Sequence, residues 1–300
     1  MIFLCYHGVT SIKSANVENY SKKHIDKKKF IKQMKFLKKN YNMISIDDIY
    51  YHIKNKIPFS KKDVAISFDD GFKNNFTIAA PILNKLKIPA IFYLCPRSIN
   101  KNEMFWVDQI ETCIDKCKKS KIKITSLGLG NFNLGSVTKK ISIIKKIKKI
   151  CKNLNIHKKN KLIKILKKTT SVEPNIKSSK NYEVANWKII KKISENNLFT
   201  LGGHSLSHDI LTKMNTRELD YNIVKTIEII KNKTGVNVEH FSYPEGRFDN
   251  NVIKYLKKHN IKSAPIATGF KNTHNTNLYK IKRVMVGFEK MKFPFSSFKD

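Results

Sequence analysis

Short apolar runs recur along the chain, at 2–6, 43–46, 64–68, 90–94, 199–201, 239–243, 261–267 and 279–286, and helical stretches fall between them. This alternation predicts an α/β fold with a mostly parallel sheet. A run count of this size predicts a distorted (β/α) barrel of about seven to eight strands, related to the TIM barrel. Among the helices, 29–40 carries Phe30, Met34 and Leu37 at helical spacing, and 76–86 carries Ile78, Ile82 and Leu86. Thr216 reads as the N-cap of a third helix, with Leu219, Ile223, Ile227 and Ile230 as its apolar stripe and Gly235 as its stop. The stretch 98–181 breaks the alternation. It is Lys-rich, with Ile141, Ile144, Ile147, Cys151 and Leu154 along one face, and reads as a helical insertion or lid within a single domain spanning 1–300. Its glycines, Gly128, Gly130 and Gly135, lack the spacing of a phosphate loop and read as surface loop.

Composition narrows the partners. The net charge is +36, but only four of the 59 basic residues are arginine (Arg97, Arg217, Arg247, Arg283), and the lysines run the whole length of the chain. Sites that read phosphates or bases favour the planar fork of arginine, so the surplus argues against a nucleic-acid partner. It fits an A/T-rich coding sequence, in which Ile, Asn and Lys rise together, and leaves peripheral contact with an anionic membrane open. Five cysteines, with no C-x-x-C pair, argue against a disulfide framework; Cys113 and Cys117 read as buried thiols on one helix face. The N-terminus has no basic leader and its first apolar run stops at Tyr6. Nor does any apolar stretch approach the ~20 residues of a spanning helix. A cytoplasmic location is the expectation. Oligomeric state is not encoded.

The candidate chemistry sits at strand ends. Asp69-Asp70-Gly71 follows the run Val64-Ala65-Ile66-Ser67-Phe68, at the barrel face where such enzymes gather reactive groups. Two adjacent carboxylates repel unless a cation neutralises one, although an Asx turn or an N-cap before Phe72 would use the same residues. His204 and His208 can point the same way if the preceding strand runs into a turn of helix, and Gly202 and Gly203 let backbone approach closely. Packing roles for this pair remain equally open. Phe241-Ser242-Tyr243-Pro244-Glu245-Gly246 reads as a strand ending in a tight turn that can present a backbone N–H to a reacting centre. His7 ends the first strand on the same face. The other histidines, His24, His52, His157, His240, His259 and His274, suggest nothing specific.

In combination these strings resemble the polysaccharide deacetylase family, the NodB-homology or carbohydrate esterase family 4 proteins. The resemblance runs through 66–71, 202–211 and 241–249, and more weakly through 6–9 and 278–286. It implies a NodB-like barrel and a hydrolase that removes an N-acetyl or other N-acyl group from an amino sugar of a polysaccharide or lipid-linked saccharide. By the same resemblance Asp70, His204 and His208 are the ligands of a divalent metal, zinc first among them. Asp69 is the general base, and Glu245 supplies an oxyanion-hole N–H. The family's late Leu-x-His motif, which carries the acid, is absent; some members carry Tyr-His near the N-terminus instead, which makes His7 the candidate acid. The arginine that many members place just ahead of the turn is also missing, with Ser242 in its place, and Arg247 or Arg283 are the available substitutes. A catalytically silent carbohydrate-binding barrel is the alternative that these departures keep open.

Overall fold

Parallel strands buried on both faces form the centre of the molecule, because runs such as 2–6, 64–68 and 90–94 have no polar face to turn outward. The structure, a computed structural model, describes residues 1–14, 16–125, 129–176, 179–287 and 293. Its strands are β1 (Ile2–Tyr6), β2 (Gly8–Thr10), β3 (His24–Asp26), β4 (Asn42–Met43), β5 (Asp63–Phe68), β6 (Ala90–Leu94), β7 (Lys121–Ile124), β8 (Gly130–Asn133), β9 (Phe199–Gly203) and β10 (Val284–Met285). The α-helices are α1 (Lys27–Asn40), α2 (Ile46–Lys54), α3 (Ala80–Lys85), α4 (Pro96–Lys101), α5 (Trp106–Lys116), α6 (Val137–Cys151), α7 (Ile156–Thr170), α8 (Trp187–Ser194), α9 (Thr216–Thr234) and α10 (Asn250–Lys258).

The main sheet has the order β10-β1-β5-β6-β9, with β4 beside β5, and every pairing in it is parallel. Beyond β9 it continues through single parallel bridges, Gly203 with Phe241, His240 with Ser263, and Pro265 with Ile281. Residue 281 leads into β10, which pairs with β1, so these bridges carry the sheet back to its starting edge. The result is a barrel with one ragged side. The runs expected as strands at 239–243, 261–267 and 279–286 are the staves of that side, contracted to one- or two-residue ladders. The run at 43–46 likewise shrinks to β4, because Ser45 caps α2 in a reciprocal pair with Asp48 and takes Ile46 into the helix.

Three helix readings need correction. Asn215, not Thr216, is the N-cap of α9, since its side chain accepts from the Glu218 N–H while Glu218 reaches back. The face of 76–86 that is fully buried is Phe76, Ala79, Ala80 and Leu83, with Ile78, Ile82 and Leu86 only partly covered. A π-helical turn at Asn75–Ala79 precedes α3 and rotates the face. The segment 98–181 is not purely helical either. It holds the antiparallel hairpin β7–β8, whose Ile122, Ile124 and Phe132 point inward. Gly130 and Gly135 are on the surface, as expected, while Gly128 lies outside the described residues.

That segment shares the main apolar core. Ile144, Ile147 and Cys151 of α6 and Leu162 and Leu166 of α7 are buried in one cluster with the barrel's Phe68 and Phe92. All five cysteines are buried free thiols. No helix among the described residues is long and apolar enough to cross a membrane.

Candidate active site

At the end of β5 the Asp69 N–H donates to the Tyr6 carbonyl at 3.0 Å, prolonging the ladder with β1. The chain then turns sharply, with Asp70 at φ +78° and Gly71 at φ +84°. From β9, the His204 N–H bonds the Leu94 carbonyl at 2.8 Å. No turn of helix follows, contrary to the expectation for 204–208. Ser205 (φ +61°) and His208 (φ +57°) wind a non-helical turn that still brings the two imidazoles together, with ring centroids 5.1 Å apart. Close backbone approach accompanies this. A Cβ on Gly202 would lie 2.5 Å from the Tyr93 ring, and one on Gly203 2.7 Å from the Phe241 ring. Glu245 is a further non-glycine residue at positive φ, +57°. Left-handed conformations on Asp70, Ser205, His208 and Glu245 cost energy that the surrounding packing must offset, and such strain gathers at functional sites.

Asp70 Oδ1 lies 3.5 Å from His204 Nε2 and 3.4 Å from His208 Nε2. Four-coordinate zinc with bonds of about 2.0–2.2 Å sets neighbouring donor atoms roughly 3.3–3.6 Å apart, so the three atoms fit edges of such a shell. Their surroundings agree. His204 Nδ1 donates to the Ser242 carbonyl at 2.8 Å, which leaves Nε2 as the ligand atom. Asp70 Oδ1 is buried and has no hydrogen-bond partner among the described residues. Burial would raise the Asp70 pKa, but the His208 and His204 imidazoles hold it well below the usual carboxylate range. Burial lowers His208 to about 4 against the pull of Asp70. His204 is held above its ordinary value, because Asp69 and Asp70 outweigh its burial.

Asp69 plays a different part. Arg283, itself buried, clamps it with Nη1 to Oδ1 at 2.7 Å and Nη2 to Oδ2 at 2.8 Å. The guanidinium also donates to Ser67 Oγ (3.1 Å), Ser242 Oγ (2.8 Å) and the Ile266 carbonyl (3.3 Å). Burial pushes Asp69 up, but Arg283 and then His204 bring it down to about 2. Of the two substitutes for the missing arginine, Arg283 thus reaches the site; Arg247 instead binds the Lys152 carbonyl and Asn153.

His7 lines the same cavity, and its carbonyl accepts from Asn75 Nδ2 at 2.6 Å. Burial lowers its pKa, opposed by Asp70 and Asp69. The Glu245 carboxylate faces Lys152 Nζ at 2.5 Å. The structure therefore gathers Asp69, Asp70, His204, His208, His7 and Glu245 around one cavity of about 320 Å³. A wall was not anticipated from the sequence: Lys23, Glu111, Lys148 and Lys152 line the same space. Lys23 pairs with buried Asp108 at 2.5 Å, Lys148 pairs with Glu111, and the Tyr182 hydroxyl donates to Glu111 at 2.5 Å. The signal was available. Asp108 and Glu111 are acids on the otherwise apolar face of α5, where a charge is buried only with a partner. A second trio, Asp47, Glu239 and His240, is already engaged, with both His240 nitrogens bonded to Ser263 and Asp47 and Glu239 bonded to Lys262.

A parallel barrel with a carboxylate, two imidazoles and an arginine-held second carboxylate at its strand ends defines a class of hydrolase-like sites. The polysaccharide deacetylase profile matches residues 56–264, and the chain belongs to that family. The Streptococcus pyogenes deacetylase PplD, solved in complex with acetate, superposes with a TM-score of 0.64 at 14% identity, covering 97% of this chain and 94% of its own. IcaB from Ammonifex degensii gives 0.60 at 16% identity, with 95% and 91% covered. A de-N-acetylase from Aggregatibacter actinomycetemcomitans gives 0.59 at 17%, with 99% and 98% covered. At these identities the likeness establishes the NodB-type fold. Among curated proteins none matches the chain.

Proposed function

We propose that the protein is a metal-dependent N-deacetylase acting on an amino sugar of a saccharide. One observation carries this reading: Asp70, His204 and His208 converge three donor atoms beside a second carboxylate, Asp69, that is buried, ionised and held in place. A divalent ion bound there would supply Lewis acidity and make water a usable nucleophile near neutral pH. The net reaction breaks the amide C–N bond; water gives its oxygen to the acyl carbon and both of its protons end on the amine, so a carboxylate and an ammonium are released.

The chain's own groups divide that work. Asp69 takes the proton of the attacking water at a carboxylate oxygen, and Arg283 fixes the orientation of that oxygen. Glu245, at positive φ on the cavity wall, is the residue whose backbone N–H would bond the developing oxyanion. His7, on the opposite side of the sequence but the same barrel end, delivers a proton to the departing amine, which leaves poorly without one. Trp106 Nε1 donates to the His208 carbonyl at 3.0 Å and steadies that turn.

The test is acetate release from a panel of N-acetylated saccharides by zinc-reconstituted protein, with metal content measured in parallel. Asp70→Ala is expected to lose both metal and turnover. Asp69→Asn should retain metal and lose turnover by at least about 100-fold, the scale of a general acid–base contribution. A fully active Asp69→Asn protein would end the proposal.

A further inference from the structure

The stretch 116–172 holds 18 of the chain's 55 lysines and none of its 23 acids. These 57 residues therefore carry half of the net charge of +36. An A/T-rich coding sequence raises lysine along the whole chain, but it leaves aspartate and glutamate in place elsewhere, so the local loss of every acid has another cause. Four of the lysines pair with acids beyond the stretch, Lys148 with Glu111, Lys152 with Glu245, Lys159 with Asp209 and Lys167 with Glu173. Others point outward. Lys145, Lys146 and Lys149 are exposed along α6, and Lys158, Lys161 and Lys164 along α7, at spacings that set side chains on one flank of a helix. Among the described residues no carboxylate lies at ion-pair distance from these six. The outward residues of β7 are lysines too. Both helices bury their apolar faces in the core, so the ammonium groups form the outermost layer of this part of the molecule.

The chemistry of the face selects its partner. The stretch has no arginine, hence no planar fork for gripping an individual phosphate. Phe132 is its only Phe, Tyr or Trp and is buried, so no such ring is offered for a base or a sugar to stack on. What remains is a field of ammonium point charges on amphipathic helices lying flat on the core. That matches a surface of diffuse negative charge, as the headgroups of anionic phospholipids present, and not a polymer that must be gripped unit by unit. The face also adjoins the site. Lys148 and Lys152 of the cavity wall stand within one helical turn of the exposed Lys149. A surface against this flank of α6 is therefore separated from the cavity wall by roughly the 10–12 Å diameter of a helix.

We infer that the exposed lysine face of α6 and α7 docks on a bilayer rich in anionic phospholipid and so brings the cavity to the headgroup layer. The docking itself is independent of the chemistry; its use, the capture of a saccharide presented at a membrane, rests on the deacetylase reading above. The full chain is mixed with sedimenting vesicles of phosphatidylcholine, with and without about 30% phosphatidylglycerol, at about 0.1 and 0.5 M NaCl, and the pelleted fraction is measured. Binding is expected with the anionic vesicles alone and is lost at the higher salt. Replacing four exposed lysines, Lys149→Gln, Lys158→Gln, Lys161→Gln and Lys164→Gln, should weaken it at least about 20-fold, the effect of two lysines within reach at about fivefold each. Glutamine keeps the helix propensity, and an unchanged Tm checks the fold. The same loss of charge on α1, Lys28→Gln, Lys32→Gln, Lys35→Gln and Lys39→Gln, should weaken it less than about threefold, because those lysines are exposed elsewhere on the surface. Equal losses from the two variants would reduce the face to its share of the net charge and overturn the inference. Binding to neutral vesicles, binding insensitive to salt, or no binding would overturn it as well. So would displacement of the vesicles by duplex DNA or dextran sulfate at equal charge, which would assign the face to a soluble polyanion. Sedimentation needs no turnover, so this result and the release of acetate fail or stand separately.

Discussion

Arg283→Met removes the guanidinium that clamps Asp69 while keeping most of the volume of the side chain. In the native fold Asp69 titrates at about 2 instead of its ordinary 3.8, although burial by itself would push it upward. That depression alone corresponds to roughly 2–3 kcal/mol of stability at neutral pH. Loss of one partner of a buried pair typically costs about 3–5 kcal/mol, because the survivor is left charged in a medium that solvates it poorly. The sign with pH follows. A carboxylate with a depressed folded pKa stabilises the protein above its unfolded value and loses that contribution as pH falls from about 4 towards 2. In the variant burial acts unopposed by Arg283, so Asp69 is more easily protonated, and acid should spare it. Urea denaturation of metal-stripped wild type and variant should therefore show a gap of about 3 kcal/mol or more at pH 7 that narrows markedly by pH 3. Arg283→Lys should recover only part of it, since an ammonium cannot reproduce two parallel bonds to the carboxylate together with those to Ser67 and Ser242. A gap below about 1 kcal/mol, or one that does not change with pH, would refute the assignment of Arg283 as the partner that keeps Asp69 ionised.

Two further outcomes follow from the packing around the site. Asp209→Ala leaves the buried Lys159 ammonium without its carboxylate. The loss should be about 3–5 kcal/mol in urea denaturation, with weaker retention of the proposed metal because Asp209 adjoins His208. Gly8→Ala would put a Cβ 1.9 Å from His24 Nδ1, in the parallel pair β2–β3. Overpacking of this kind costs about 1–3 kcal/mol or more, read as a lowered Tm, and Gly8→Ala combined with His24→Ala should recover much of it.

The site residues that were legible in the sequence share one property: each belongs to a contiguous string at the end of an apolar run. Asp69 and Asp70 follow β5, and His204 and His208 follow β9, so reading the strands places the candidate ligands. Even there the path of the backbone escaped. Nothing in Ser205-Leu206-Ser207 announces that His204 and His208 converge through positive-φ residues and not through a helical turn. The wall built by α5 and α6 was hidden for another reason. Its surface is made by charge pairing between segments, Lys23 with Asp108 and Lys148 with Glu111, and a chain with 59 basic residues offers too many equivalent lysines for composition to select these.

Arg283 shows what closure of the barrel adds. It lies 214 residues from Asp69 in sequence, yet β10 and β5 both pair with β1, which brings the last stave to within one strand of the first carboxylate. Local patterning cannot supply that neighbourhood; only the circular sheet does. The serine that stands where many relatives carry arginine then acquires a physical meaning. Ser242 is fully buried, accepts from Arg283 Nη2 at 2.8 Å and donates to Asp69 Oδ2 at 3.3 Å. Its small side chain leaves room for a guanidinium that arrives from β10, and its hydroxyl satisfies a guanidinium nitrogen while bonding the same carboxylate. Position 242 and position 283 are therefore coupled. A large residue at 242 would occupy the space of the guanidinium, and a neutral one at 283 would leave Asp69 without its two-point guanidinium clamp, so each residue explains why the other can be what it is.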